Sequence, residues 1–285
     1  MKNRFRILLP VAIAVVLVGN ETTAQYYYKD IVTLSQNQAQ YKLLKGNKVT
    51  KVKLLSFESD GAPTEDFQCE QTFNNSFSQL KTVTTVPITG ASTLINYYNF
   101  QGQLYRSVDS SRESITVYEY QYDSTGKLAV INSASNAMGE KQKAYESHYW
   151  VYSANGKPEK MWKVKDKLDS IEVKIRLDDK GNVSEEESFR KNIPLEKIYY
   201  YYDSLGRMTD IVRYNDQARK LLPDYLFDYG EGPELRQMIT VQNAGLDYLT
   251  WRYEYNDKGL KIKESCYNKK RQLAGRIEYQ YEYRR

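Results

Sequence analysis

Aromatic and apolar residues alternate with polar residues along most of the chain, in phase with a recurring turn. Before residues 123–126, Tyr118, Tyr120 and Tyr122 alternate with Glu119 and Gln121. A β-strand has a side-chain period of two, so the pattern predicts a strand with one buried and one polar face. Counting back one, three and five residues from later turns gives matching sets: Tyr152, Trp150 and His148; Leu177, Ile175 and Val173; Tyr202, Tyr200 and Ile198; Tyr229, Phe227 and Tyr225; Tyr255, Tyr253 and Trp251.

The turn has its own repeated chemistry. Asp, Asn or Ser usually stands at its first position and glycine at its fourth, as in 123–126 and 203–206. This order is typical of a type I turn whose glycine takes a positive φ and returns the chain as a hairpin. At spacings of 24 to 30 residues, the predicted turn glycines are Gly102, Gly126, Gly156, Gly181, Gly206, Gly232 and Gly259. Gly61 fits the pattern more loosely, and the motif at Gly232 is one residue short.

Together these patterns predict an all-β fold in which tandem β-hairpin repeats form one long curled antiparallel meander sheet. Residues 94–285 form the repeat domain, and 25–93 form an N-terminal segment containing a degenerate repeat or a long connection. Within that segment, apolar residues between Asp30 and Lys45 predict a short helix that Asp30 caps and Gly46 ends. An outer-membrane barrel is disfavoured, because charged residues interrupt the outward apolar band that it needs.

The first 24 residues have the layout of a secretory signal peptide. Lys2, Arg4 and Arg6 precede a twelve-residue apolar stretch, and small residues end at Ala24. We therefore expect cleavage after Ala24 and a periplasmic or extracellular location, with no membrane span in the mature protein. An uncleaved anchor is the alternative.

Composition excludes some classes of function. Removing three basic residues and one acidic residue from a chain of net charge +5 leaves +3, which gives no electrostatic case for nucleic acid binding. The 27 tyrosines and the low mean hydropathy of −0.70 suit a half-buried sheet. Cys69 and Cys266 match no metal motif, and we expect an open curl to keep them apart.

The string Tyr-Asp-x-x-Gly-Arg/Lys-Leu/Met, at Tyr122 to Leu128 and Tyr202 to Met208, resembles the YD repeat of RHS-type proteins. The resemblance extends over about residues 94–285 and implies hairpins wound into a continuous spiral sheet, which in that family often encloses a C-terminal toxin. This chain is too short to enclose a toxin and ends on a strand. The resemblance therefore supports the fold and supplies no catalytic residues.

Candidate sites are few. His148 is the only histidine and stands at a repeat position that tyrosine and tryptophan fill elsewhere, so we interpret it as structural. Glu185 to Glu187 and the pair Asp178 and Asp179 lack the spacing of a calcium loop and read as solvated charge. The intervening aromatics Tyr149, Tyr199 and Tyr201 are candidate binding residues for a sugar or a partner protein, or they pack beneath a loop or the helix.

The sequence thus favours a non-catalytic extracytoplasmic binding or scaffold protein without metal, cofactor or catalytic residues. Its expected partner is an envelope or extracellular protein or glycan. The alternatives are an exported enzyme acting on polysaccharide and a toxin-associated or immunity-type RHS-like protein.

Overall fold

A computed structural model describes residues 26–87, 89–140, 142–216, 218–242 and 245–284; the predicted signal peptide lies outside the described residues. Within these ranges the protein has one helix, α1 (Lys29–Gly46), followed by strands. The strands are β1 (Val49–Glu58), β2 (Gln68–Phe73), β3 (Gln79–Val86), β4 (Gly90–Tyr98), β5 (Leu104–Ser110), β6 (Ser114–Tyr122), β7 (Leu128–Ala137), β8 (Ala144–Tyr152), β9 (Pro158–Lys165), β10 (Asp169–Leu177), β11 (Val183–Arg190), β12 (Ile193–Tyr202), β13 (Met208–Asn215), β14 (Lys220–Tyr229), β15 (Leu235–Gln242), β16 (Asp247–Tyr255), β17 (Lys261–Tyr267) and β18 (Leu273–Tyr283).

These strands form a closed antiparallel barrel. Each strand pairs with its neighbours in sequence, and β1 pairs with β18 from Val49 opposite Tyr283 to Glu58 opposite Gly275. The all-β hairpin meander is confirmed, but the expectation of an open curled sheet is wrong. Closure satisfies the backbone groups that two free edge strands would leave unpaired. Residues 49–93 supply β1 to β3 and the first residues of β4 in the same sheet as the repeats.

The two faces of the barrel wall differ as the alternation predicts. Inward residues such as Trp150, Val173 and Tyr200 are buried. The outward face around the closure is charged instead, with cross-strand ion pairs between Lys51 and Glu70 and between Lys263 and Glu254. Arg276 and Glu278 form a further ion pair along β18.

Seven predicted repeat turns lie at one end of the barrel, which we call the motif rim: residues 99–102, 123–126, 153–156, 178–181, 203–206, 230–234 and 256–259. The turn at residues 74–77 lies at the same end, whereas the looser match at Gly61 lies at the opposite end. In the turn after β6, the Asp123 carboxylate accepts the N–H groups of Thr125 and Lys127, and the N–H of Gly126 binds the Asp123 carbonyl. Gly102, Gly126, Gly156, Gly181, Gly206 and Gly259 have positive φ. Gly232 does not, because residues 230–234 form a different turn.

The tyrosine before each turn has a second role that phenylalanine could not fill. Four of these hydroxyls, and that of Tyr281 in the last strand, donate to a carbonyl at the start of the preceding hairpin's second strand, next to the bulge that the turn creates. The bonds join Tyr122 to Leu104, Tyr152 to Leu128, Tyr229 to Met208, Tyr255 to Leu235 and Tyr281 to Lys261, at 2.5–3.0 Å. At these five strands the hydroxyl thus ties one hairpin to the hairpin before it, which gives a physical reason for part of the tyrosine content.

The helix lies inside the barrel beside the motif rim, where the sequence predicts a short helix. Tyr41 stacks on Tyr98 of β4 at 3.8 Å between ring centroids and donates to the Phe77 carbonyl at 2.8 Å. Further along, Gln38 binds the Tyr122 hydroxyl. The helix therefore closes the motif rim with aromatic contacts. No helix in the described residues is both long and apolar enough to cross a membrane.

The opposite end, which we call the far rim, is formed by the described residues of the other connections: 59–67, 87, 89, 111–113, 138–140, 142–143, 166–168, 191–192, 216, 218–219, 245–246 and 268–272. Several residues of these turns have positive φ without being glycine: Asp66, Asp166, Lys167, Lys191, Asn192, Arg219 and Arg271. The far rim therefore combines such residues with glycines, namely Gly61, Gly139 and Gly245, whereas the motif rim relies mainly on glycine.

Both cysteines are free and buried, as predicted, although the reason we gave is wrong. Closure brings the ends of the sheet together, yet Cys69 on β2 and Cys266 on β17 remain separated by β1 and β18. Three inter-strand steps of about 4.8 Å exceed the Cα separation that a disulfide allows.

Candidate functional site

The N-terminus of α1 is held by a carboxylate of the barrel wall. Glu186 on β11 accepts the backbone N–H groups of Tyr27 and Tyr28, each at 2.7 Å. These are unpaired donors at the positive end of the helix dipole, where an anion is favoured. Burial raises the pKa of Glu186 to about 7, although the two N–H donors oppose the shift. Asp30, which we predicted as the cap, lies in the first turn instead.

Asp30 belongs to a buried polar network with His148. The His148 ring lies between two carboxylates, 2.6 Å from Asp30 through Nδ1 and 3.0 Å from Glu146 through Nε2. Trp150 donates to the same Asp30 oxygen, and Lys163 pairs with Glu146 at 2.9 Å. The network therefore fastens the first turn of the helix to β8 and β9.

The charges of this network fix its protonation. Burial alone would lower the pKa of His148, but Asp30 and Glu146 outweigh it and raise the pKa to about 9. Burial would raise the pKa of Glu146, but His148 and Lys163 lower it to about 2. His148 is therefore an imidazolium at neutral pH and has no free nitrogen lone pair with which to act as a base.

The predicted acidic candidates divide between the two faces of β11. Glu185 pairs outward with Lys197 at 2.8 Å, while Glu186 is buried against the helix. Solvated charge is therefore the wrong interpretation for Glu186. Asp178 accepts N–H groups of its own turn, as the first residue of the motif. Within the described ranges, no group of three or more His, Cys, Asp or Glu residues could hold a metal ion.

The three predicted binding tyrosines lie on the outer wall, but they do not form one patch. Tyr199 and Tyr201 are alternate residues of β12. Tyr149 lies on β8, opposite Trp162, and four strand spacings of about 4.8 Å separate β8 from β12. Tyr149 and Tyr201 are 43% and 47% exposed, so neither packs beneath a loop or the helix.

Tyr199 and Tyr201 line an open groove of about 580 Å³ at the motif-rim end of β11 and β12. Its other walls include Asp178 and Lys180 of the preceding turn, Glu185 of β11, and Asp203. Lys197 lies over the Tyr199 ring at 5.4 Å. The groove thus combines two aromatic rings with carboxylates and ammonium groups.

Two of the contacts described above could not be predicted from the sequence. The contacts of Glu186 with Tyr27 and of His148 with Asp30 join residues 159 and 118 positions apart. The only sequence signal is that Glu186 and His148 are polar residues on a face that is otherwise mostly apolar.

Comparisons with known proteins do not establish a family. No protein-family model matches the chain, and no curated protein matches its sequence. Among solved structures, TcdB2-TccC3 is 13% identical over 77% of this chain with a TM-score of 0.34, and the chain spans only 13% of that structure's length.

Two porin-like proteins are also similar in structure. The one from Bacteroides uniformis is 11% identical over 82% of this chain and 98% of its own, with a TM-score of 0.35. The one from Bacteroides vulgatus is 14% identical over the same shares, with a TM-score of 0.29. At such TM-scores neither likeness carries an argument about function, and the resemblance to RHS-type proteins stays a prediction.

Proposed function

We propose that the protein is a non-catalytic binding or scaffold protein of the cell envelope or extracellular space, and that its ligand is a glycan bound in the groove at Tyr199 and Tyr201. The main observation that supports this proposal is that the side chains of the inner wall pack against one another and against the helix. Met161, Val173 and Ile277 are completely buried, and α1 occupies the motif-rim end. A ligand is therefore expected on the outer wall.

The groove has the chemistry that a glycan requires. Tyrosine rings offer flat apolar surfaces on which a sugar ring can stack, with polar edges for hydrogen bonds. The carboxylates of Glu185, Asp178 and Asp203 can accept hydrogen bonds from sugar hydroxyls, and Lys180 can donate. A few polar groups around an aromatic surface are the usual composition of a small-ligand site.

The charged network favours binding over catalysis. His148 is protonated at neutral pH and engaged by two carboxylates, so the single histidine is unsuited to activate a nucleophile or water. We therefore expect the purified protein to be inactive on panels of glycan, ester and peptide substrates. Turnover abolished by one Asp or Glu substitution that leaves the fold intact would favour the exported enzyme instead.

The binding test uses a glycan array and a pulldown with insoluble peptidoglycan. Replacing Tyr199 and Tyr201 together with alanine should abolish binding while leaving the melting temperature within a few degrees of the wild type. Tyr149→Ala is the matched control, because it removes an exposed tyrosine from the same outer wall four strands away. Equal loss in both variants, or no glycan bound by the wild type, would contradict the proposal.

A further inference from the structure

The far rim carries an unusual set of exposed apolar side chains. Four of them stand at the turns between β7 and β16: Leu168 is 93% exposed, Leu246 74%, Ile193 66% and Met138 62%. Near them on the same strands and turns are four more large side chains with at least 44% exposure: Tyr145, Leu195, Tyr214 and Leu221. We call the described residues 138–140, 142–145, 165–169, 190–195, 214–216, 218–221 and 245–247 the apolar sector of the far rim.

The sector is continuous around the barrel. It contains five successive hairpin connections, and neighbouring hairpins of an antiparallel sheet are two strand spacings, or about 10 Å, apart. The apolar tips therefore project one after another from one arc of the rim. The rest of the far rim is more polar, although Ile115 is 42% exposed beside residues 111–113. Residues 59–67 contain three acids, and residues 268–272 contain three bases.

Basic residues stand directly beside these apolar tips. Lys167 precedes Leu168, Lys191 lies two residues before Ile193, and Arg219 lies two residues before Leu221. Each of these three cations is at the turn itself and has a positive φ between 49° and 60°. Glycine or asparagine would fit such positions with less strain, so the turn chemistry does not explain the cations.

The acids of the sector are partly engaged within the protein. Asp169 pairs with Arg190 at 3.1 Å, and Asp166 accepts the Tyr145 N–H at 2.8 Å. The described residues of the sector hold seven bases against five acids, namely Lys143, Lys165, Lys167, Arg190, Lys191, Arg219 and Lys220 against Glu140, Asp166, Asp169, Asp216 and Asp247.

We propose that the apolar sector of the far rim docks on an anionic lipid surface. Apolar side chains on separate turns can each enter the boundary between lipid headgroups and acyl chains, while neighbouring Lys and Arg side chains meet lipid phosphates. Such spaced tips fit a deformable lipid surface better than a second protein, whose interface needs a contiguous close-packed centre. The barrel then rests on the membrane by one rim without crossing it, and the groove at the motif rim remains accessible.

Vesicle co-sedimentation tests this proposal with the mature protein. Wild-type protein should sediment with vesicles of 30% phosphatidylglycerol in phosphatidylcholine, and less with phosphatidylcholine alone. Replacing Leu168 and Ile193 with serine should lower the bound fraction at least tenfold. Replacing Lys167 and Lys191 with glutamine should remove the preference for the anionic vesicles and the sensitivity to salt.

The motif rim supplies a matched control. Phe100 and Leu205 are 91% and 70% exposed at its turns, so replacing both with serine removes similar apolar area from the opposite end of the barrel. This control should bind like the wild type. Equal losses in control and far-rim variants would overturn the proposal, as would a wild type that binds neither vesicle. A far-rim variant that changes the oligomeric mass without lipid would assign the sector to contacts between copies and would also overturn it.

Discussion

The two rims of the barrel reverse the chain under the same steric constraint, but they differ in how often glycine meets it. At the motif rim, six left-handed positions are glycines, each preceded by an Asn, Asp or Ser that bonds within the turn. At the far rim, Gly61, Gly139 and Gly245 also have a positive φ, but comparable conformations are held by the cationic residues Lys167, Lys191, Arg219 and Arg271. The difference indicates that turn geometry determines the residues of the motif rim, whereas several turns of the far rim hold long cationic side chains despite the strain.

Packing against the helix explains part of this contrast. A Cβ on Gly102 would lie 3.3 Å from the Tyr41 ring, so the helix and the turn approach too closely for a larger residue without adjustment. Phe77 shows the exception: it takes a glycine-like φ of 55° in the first turn of this rim and packs on Phe73. The motif rim is thus a packed end of the molecule.

The largest expected effect is the loss of stability when the packing of the helix at the motif rim is removed. Tyr41→Ala removes a ring that is 2% exposed together with its bond to the Phe77 carbonyl, so it should lower the free energy of unfolding by about 3–5 kcal/mol. Leu168→Ala at the far rim should change it by less than about 0.5 kcal/mol. Urea denaturation measures both, and similar values would contradict the contrast between the rims.

A smaller effect concerns pH, because the His148 network fastens the helix that closes the motif rim. Folding raises the pKa of His148 from 6.5 to about 9, so the protonated imidazole contributes its full stabilisation of the folded protein below pH 6.5. This stabilisation is lost as pH rises through about 9. Between pH 7 and 9.5, the wild type should lose about 2 kcal/mol from His148. Glu186, whose pKa is about 7, completes its titration in the same interval, and this smaller contribution is common to the wild type and a His148 variant.

The control for this titration is His148→Gln, which should be less stable at pH 7 but should lose less stability between pH 7 and 9.5. Unfolding curves at the two pH values give the comparison. A variant with the wild-type pH dependence would show that another group titrates.

Turn substitutions compare the rims directly. Gly126→Ala places a Cβ at φ 82° and should destabilise the protein by about 1–2 kcal/mol. Arg271→Gly relieves a φ of 60° at the far rim and should leave stability within about 1 kcal/mol of the wild type or raise it. If both substitutions change the free energy of unfolding in the same direction and by the same amount, the glycines of the motif rim have no special role.

The smallest effect concerns the repeated tyrosine hydroxyl. Tyr255→Phe keeps the ring but removes the bond to the Leu235 carbonyl, so it should destabilise by about 1 kcal/mol. Tyr149→Phe, on the exposed outer wall, should have no measurable effect. If Tyr255→Phe is equally neutral, the hydroxyl does not tie the hairpins together.

Local signals explain why much of the fold was predictable. Strand alternation and turn chemistry act within about ten residues, and they identify the buried face from Tyr118 to Tyr122 and the turn at Gly126. Closure is a long-range event, since Val49 pairs with Tyr283. The first motif-rim turn at residues 74–77 escaped prediction because Phe77 replaces the marker glycine.

The candidate site was predicted only in part for the same reason. Period-two counting places Tyr149, Tyr199 and Tyr201 on one face, and they do share the outer wall. It cannot give their lateral distance, which depends on the number of strands between β8 and β12. The Glu186 contact with the helix likewise depends on closure and on a partner far away in sequence.

Closure of the barrel between β1 and β18 is the central claim, and an engineered disulfide tests it most directly. Lys53 and Gln280 are exposed and lie opposite each other across this junction, so cysteines there should link on oxidation when Cys69 and Cys266 are serine. The pair Gln237 and Arg252, opposite each other within one hairpin, gives the positive control, and Lys53 with Gln121 on β6 gives the negative one. A closed barrel predicts an intramolecular disulfide for the junction as complete as in the hairpin control. Free thiols at the junction, with the hairpin pair linked, would contradict closure and restore the open sheet.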